Sequence, residues 1–246
     1  MCTGLAVPTL TAGPFRLRPF GLADTDVVRE AAQDPYIPLV TTVPAAFTEA
    51  EGRRFIERQW QRAERGAGYS FAIADAGTDR AVGQAGLWLR DGSAGRASLG
   101  YWVVASARGQ RAAGHAITAV ARWALGELRI PRLELYVEPW NQASIATAER
   151  AGFCREGLLR SWQEIGGERR DMLMYSMLPA DLLSIPVDPR HDQPVRSPGT
   201  CCAGGTREAR RAGRPDEPAG CAVRGVDEAA HGSCSARQPS QSWPCS

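Results

Sequence analysis

Two short segments of this chain carry residue types whose spacing can do chemistry. The first is Arg108-Gly-Gln-Arg-Ala-Ala-Gly114, an arginine- and glycine-rich turn that follows the apolar run Leu99-Gly-Tyr-Trp-Val-Val104 and opens a helix. A strand feeding a turn of small residues and then a helix N-terminus aims unpaired backbone N–H groups at one point, which is how a pyrophosphate is held. The second is Leu133-Glu-Leu-Tyr-Val-Glu-Pro-Trp-Asn-Gln-Ala-Ser144, where the only asparagine of the chain, Asn141, sits between a strand and a helix, with Ser144 one turn further on. Asn and Ser at a helix start are ordinary capping residues. Structural roles alone would explain either residue, and the preceding strand makes the pair more specific.

The elements that must position these segments alternate strand and helix. Phe15–Phe20 alternates with a period of two, and Asp24 stands where an N-cap belongs for the helix carrying Val27, Val28 and Ala31. Thr48 and Glu51 have the separation of a capping box, opening an Arg/Glu-rich helix that runs to about Arg65. Residues 69–74, 81–90 and 97–104 read as three consecutive strands joined by Asp/Gly turns, an antiparallel meander. A helix over 114–128, with Ile117, Val120, Ala121 and Ala124 at helical spacing, stops at Pro131. A strand 133–137, a helix 143–151 ended by Gly152, and strands 157–165 and 171–178 follow.

Beyond Ile185 the chain changes character. Residues 186–246 contain no Leu, Ile, Phe, Met or Tyr, and their larger apolar side chains are four valines and Trp243. A segment so poor in burying groups cannot offset its chain entropy, so a low-complexity, disordered tail is expected there.

Composition bounds the function classes. The net charge is +2, with Arg interspersed among Asp and Glu rather than gathered in one basic stretch, so direct nucleic-acid binding is not expected. The N-terminus lacks a charged region followed by a continuous apolar stretch, and nowhere do about 18 apolar residues run together. A soluble, cytoplasmic protein without membrane contact is expected. Of the 7 cysteines, Cys201, Cys202, Cys221, Cys234 and Cys245 lie in the tail. Their spacing lacks the two close pairs of a structural zinc site, so no metal is expected.

The turn at 108–114, the Asn-x-x-Ser of Asn141 and Ser144, and the Gly152-Phe153 that closes the following helix together resemble the Gcn5-related N-acetyltransferase (GNAT) superfamily, and within it the bacterial ribosomal-protein acetyltransferases of the RimJ/RimL type. The resemblance covers residues 14–179 and implies an α+β acyl-CoA N-acyltransferase fold, a mixed central sheet flanked by helices. It implies an acetyl-CoA-dependent N-acetyltransferase acting by direct transfer in a ternary complex. The acceptor would be a protein N-terminal α-amine, or alternatively a small-molecule amine such as an antibiotic or polyamine. A non-catalytic CoA-binding module is a further alternative.

Residue by residue, the resemblance assigns acetyl-CoA binding to Arg108, Gly109, Gln110, Arg111, Ala112 and Ala113, with Arg111 standing where the family has a glycine. A second frame, Arg111 to Ala116, also fits the pyrophosphate pattern, but it lies three residues further from the strand. Asn141 would approach the pantetheine amides, and Val103 and Val104 would supply backbone groups to pantetheine and to the thioester carbonyl. Ser144 would protonate the departing thiolate. Some of the related ribosomal enzymes carry an acidic base at the position that aligns with Gln163, which cannot accept a proton. Glu164 beside it is then the candidate base, although strand alternation turns it to the other side. Glu134 and Glu138 read as solvated charges, and deprotonation through water is the remaining route. Trp88, Tyr69, Trp102 and Trp162 are candidates to line the acceptor cleft, with a core role as the alternative. Without a dedicated base a weakly basic acceptor is favoured: an α-amine with a pKa of about 8 is substantially neutral near pH 7.5, whereas a lysine side chain at about 10.4 is neutral only at about the 0.1% level.

Overall fold

The computed structural model describes residues 4–89, 94–184 and 222–223. Its strands are β1 (Leu10–Ala12), β2 (Phe15–Arg18), β3 (Gly68–Asp75), β4 (Ala81–Trp88), β5 (Arg96–Val103), β6 (Arg132–Val137), β7 (Cys154–Ile165), β8 (Glu168–Met177) and β9 (Ala222–Val223). The helices are α1 (Thr25–Ala32), α2 (Ile37–Val40), α3 (Glu49–Glu64), α4 (Ala112–Gly126) and α5 (Gln142–Arg150). The sheet order is β1-β2-β3-β4-β5-β6-β8-β7, antiparallel throughout except for β5 and β6, which run parallel. This is the expected mixed sheet flanked by helices. Strand β1 and the one-turn helix α2, both too short to show a period, escape the sequence reading.

Two local features follow from side-chain chemistry. Thr48 caps α3 by accepting from the Glu51 N–H at 3.1 Å. Asp24 does not cap α1 through its side chain. Instead it accepts from the Gly21 N–H at 2.8 Å and pairs with Arg18 at 2.7 Å, tying the end of β2 to the start of α1.

Strand β5 is the axis of the molecule. Its pairing with β6 is limited to Arg96↔Arg132, Ala97↔Leu133 and Ser98↔Glu134, after which the two strands part. On the α3 side β5 is held by a buried polar chain: Trp102 Nε1 donates to Gln84 Oε1 at 2.7 Å, and Gln84 Nε2 donates to Gln59 Oε1 of α3 at 2.8 Å. Buried polar atoms that satisfy one another this way fix a unique packing at little net cost. On the other side α4 covers β5 with Ile117, Val120, Ala121 and Ala124, the face its sequence period marks.

Beyond its contact with β6, β5 receives β9, antiparallel, with Tyr101↔Val223 and Trp102↔Ala222. The expectation of a disordered tail falls almost entirely outside the described residues. At Ala222 and Val223 the chain is instead a strand, because a parted sheet leaves the backbone groups of β5 open to any extended segment.

Strands β6, β7 and β8 are joined by an ion-pair cluster. Glu156 accepts from Arg132 Nη1 at 2.9 Å and Nη2 at 2.5 Å, and from Ser176 Oγ at 2.6 Å. The Arg132 and Ser176 donors hold the Glu156 carboxyl down to about 2. A carboxyl depressed in the folded state contributes stability that is present above its ordinary pKa of about 4.5 and is lost as pH falls toward about 2. Glu156→Gln should therefore flatten the acid limb of stability between those values, measured as denaturation midpoints against pH. An unchanged limb would show that the pair is fully screened by solvent.

Candidate active site

The turn after β5 has the geometry the sequence suggests. Gly109 and Arg111 both adopt left-handed backbone, with φ of 78° and 62°. This accounts for the glycine that the family pattern has at the fourth position, where Arg111 stands: a side-chain-bearing residue there costs about 1 to 2 kcal/mol. Arg111 meets that cost and still serves as the N-cap of α4, its carbonyl accepting from the His115 N–H at 3.0 Å. Among the described residues, the N–H groups from Gly109 to Gly114 donate to no backbone carbonyl. Gly109 and residues 111–114 line a pocket of about 270 Å³ together with Val103, Ala107, Arg108, and Ala143, Thr147 and Arg150 of α5. Free N–H groups, the positive end of a 15-residue helix, and two exposed arginines suit a polyphosphate. Arg150, a lining residue on α5, was not singled out from sequence because nothing local distinguishes it from a surface arginine.

Three candidates are engaged elsewhere or turned away in the structure. Arg108 lines the pocket, but its Nη2 pairs with Asp34 at 2.5 Å and its Nε donates to the Val103 carbonyl at 3.3 Å, so its charge ties the turn to the segment after α1. Burial pushes the Asp34 carboxyl up, but Arg108 and the N–H groups of Ile37 and Tyr36 more than offset it and leave it below the usual carboxylate range. Val104 has both backbone groups engaged, donating to Val82 and accepting from Ala107, each at 3.0 Å. Alternation along an antiparallel strand then turns Val103 the other way, so its N–H faces the gap beside β6. Glu164 is exposed, on the face of β7 opposite buried Gln163, and no described contact joins it to Asn141 or Ser144.

Asn141 and Ser144 are brought together as expected. Both are buried, Asn141 caps α5 by accepting from the Ser144 N–H at 3.1 Å, and Asn141 N–H donates to the Glu138 carbonyl at 3.0 Å. The Ser144 hydroxyl is fully buried and has no hydrogen-bond partner among the described residues. Nor has either amide atom of Gln163. Buried polar atoms left unpaired are costly and call for an explanation, of which a ligand is one.

The aromatic candidates divide. Tyr69 packs edge-on to Trp123, and Trp88 and Trp102 are buried, so these three belong to the core. Trp162 stays exposed and stacks on Tyr136 with centroids 5.9 Å apart. Glu134 and Glu138 are corrected: neither is solvated, with exposures of 1% and 4%. Glu134 accepts from Arg132 Nε and the Tyr136 hydroxyl, each at 2.8 Å, and Glu138 accepts from the Tyr36 hydroxyl at 2.5 Å. Strand ends beside Pro usually fray into solvent, so the sequence holds no sign that α2 folds over this one.

Among the described residues no three His, Cys, Asp or Glu side chains are grouped to hold a metal, and no helix is long and apolar enough to cross a membrane.

A sheet parted after β5, with a helix N-terminus below the gap and a capped Asn-x-x-Ser helix beside it, defines an acyltransferase scaffold. The chain matches the acetyltransferase (GNAT) domain family over residues 15–154, and it belongs to that family as an N-acetyltransferase. It is 28% identical over 170 residues to the uncharacterized N-acetyltransferase p20 of Bacillus licheniformis, covering 69% of this chain and 96% of that one. Among solved structures, it is similar to the ribosomal L7/L12 α-N-protein acetyltransferase RimL in complex with coenzyme A, at a TM-score of 0.61 and 19% identity, covering 70% of this chain and 98% of that one. It is equally similar in fold to the ribosomal-protein-S5-alanine acetyltransferase of Vibrio fischeri, at a TM-score of 0.61 and 14% identity over 71% and 98% of the two chains.

Proposed function

We propose that this N-acetyltransferase takes its acetyl group from acetyl-CoA and delivers it directly to a protein N-terminal α-amine. The observation that carries the cosubstrate is the row of unengaged N–H groups from Gly109 to Gly114 around the pocket between α4 and α5. The ribosomal-protein acetyltransferases that share the fold support the acceptor class.

In this reading the start of α4 and Arg111 hold the pyrophosphate, with Arg150 beside them. Gln110, Ala112 and Ala113 contribute backbone N–H groups or wall. Pantetheine runs along β5 toward Asn141, and the Val103 N–H polarises the thioester carbonyl. The acceptor nitrogen forms a bond to the carbonyl carbon, the carbon–sulfur bond breaks, and the proton that the thiolate takes comes by way of Ser144 Oγ.

We assign this activity to residues 14–179. Because β9 and pantetheine would share the same edge of β5, truncation after Ile185 is the informative test. The expected result is thiol release from acetyl-CoA, dependent on an added N-terminal peptide, in both the full-length and the truncated protein. The truncated form should have a similar melting temperature and an acetyl-CoA KM no higher than that of the full chain. A soluble truncated protein without activity would show that β9 completes the site, and absence of peptide-dependent release in both forms would overturn the acceptor class.

A further inference from the structure

Among the described residues, Glu138 is a buried carboxylate near the site that the proposed reaction leaves unused. It lies directly after β6, 4% exposed, and among the described residues it has one hydrogen-bond donor, Tyr36, and no cation beside it. Glu134, two positions before Tyr136 on the same face, has Arg132 as its cation. A carboxylate taken out of water without a counter-charge is expensive, and the cost is recovered when a cation binds.

Its surroundings are built rather than incidental. Asp34 accepts from the N–H groups of Tyr36 and Ile37 at 2.8 and 2.9 Å while pairing with Arg108, so the turn that bears Tyr36 is anchored to the phosphate-binding turn. Tyr36 also packs edge-on to Trp140 with centroids 5.0 Å apart, and Trp140 is exposed. Further along α2, Leu39 reaches the turn between β7 and β8 at Gly166. Gln163, buried with both amide atoms unpartnered, stands on β7 just before that turn. From Glu138 the backbone leads through Asn141 to Ser144 by two successive hydrogen bonds.

We propose that Glu138, held by Tyr36, binds the protonated amine of the acceptor and removes its proton, while the unpaired Gln163 amide takes a polar group of the acceptor. The inference rests on the acetyl-transfer reading above. The ammonium gives one proton to Glu138, which passes it to solvent, and the neutral nitrogen attacks the thioester carbonyl carbon. After attack the nitrogen sheds a second proton as the carbon–sulfur bond breaks, and the CoA sulfur takes up one through Ser144. A base carried just after β6 makes the absence of a carboxylate at Gln163 intelligible. It also removes the need for a weakly basic acceptor.

The test uses full-length protein, acetyl-CoA, and an equimolar pool of X-Gly-Gly peptides differing in the N-terminal residue, read by thiol release. Glu138→Gln keeps the shape and removes the charge. It should lower kcat/KM about 100-fold while the acetyl-CoA Kd stays within twofold. Its deficit should be smaller with Gly-Gly-Gly than with the more basic β-alanyl-Gly-Gly, a difference a structural role would not produce. Tyr36→Phe should cost less, about fivefold, because the carboxylate remains. Glu138→Gln turnover within threefold of wild type overturns the inference, as does a loss of turnover accompanied by loss of acetyl-CoA binding. If wild type binds acetyl-CoA but acetylates none of the pool, the peptide-amine reading fails and takes the inference with it, an outcome distinguishable from failure of Glu138 alone.

Discussion

Ser144→Ala is expected to lower kcat by roughly 10- to 1,000-fold, in or just below the range of general acid catalysis, with acetyl-CoA affinity almost unchanged. The side effect on stability gives the prediction its edge. The hydroxyl is fully buried with no partner among the described residues, so it contributes no hydrogen bond to the fold. Removing an unsatisfied buried polar atom is neutral or stabilising. Alanine also keeps the N–H that Asn141 accepts, so the cap of α5 survives. The expected pattern is thus slow turnover in a protein that melts no lower than wild type. Wild-type turnover would assign Ser144 to packing, and a lowered melting temperature would reveal a structural role for the hydroxyl.

Gly109→Asp should weaken acetyl-CoA binding by one to two orders of magnitude, measured by calorimetric titration. Gly109 has left-handed backbone, and no atom lies within 4 Å of where a Cβ would sit. Aspartate tolerates that backbone better than most residues, so the turn itself should persist. The loss then comes from placing a negative charge beside phosphates. At about 4 Å the repulsion is worth between about 1 and 4 kcal/mol, depending on solvent screening. Gly109→Asn controls for shape and strain and should bind within about fivefold of wild type. Equal losses in the two variants would trace the effect to the backbone, and no loss in either would remove the phosphates from this turn.

Much of the scaffold is legible in the chain because its signals are local. The Thr48 cap, the period of α4, the turn at Gly109 and the Asn141–Ser144 pair each depend on residues within a few positions of one another. Their chemistry survives in any context that keeps the backbone. The same locality explains the misreadings. Arg108 looks like a phosphate ligand until Asp34, far away in sequence, claims its guanidinium. Val103 and Val104 are equivalent in the sequence, and only the pairing of β5 with β4 decides which N–H faces away from β4.

The sequence by itself determined most of the order of strands and helices and the two motifs, at the starts of α4 and α5, that carry the family resemblance. These rest on hydrophobic period, capping chemistry and turn residues, all short-range properties of the chain. The tertiary structure alone decided the fate of the carboxylates and of the sheet edge. Glu138 lies in Val-Glu-Pro-Trp-Asn, a context that reads as a solvated strand end. It is buried beside Tyr36, which precedes a one-turn helix with no periodic signature and donates its hydroxyl to the carboxylate. Ala222 and Val223, in a segment without a core of its own, form a strand only because β5 and β6 part and leave backbone groups to be paired. Burial and strand pairing are properties of what distant segments bring together, and no window along the chain contains both partners.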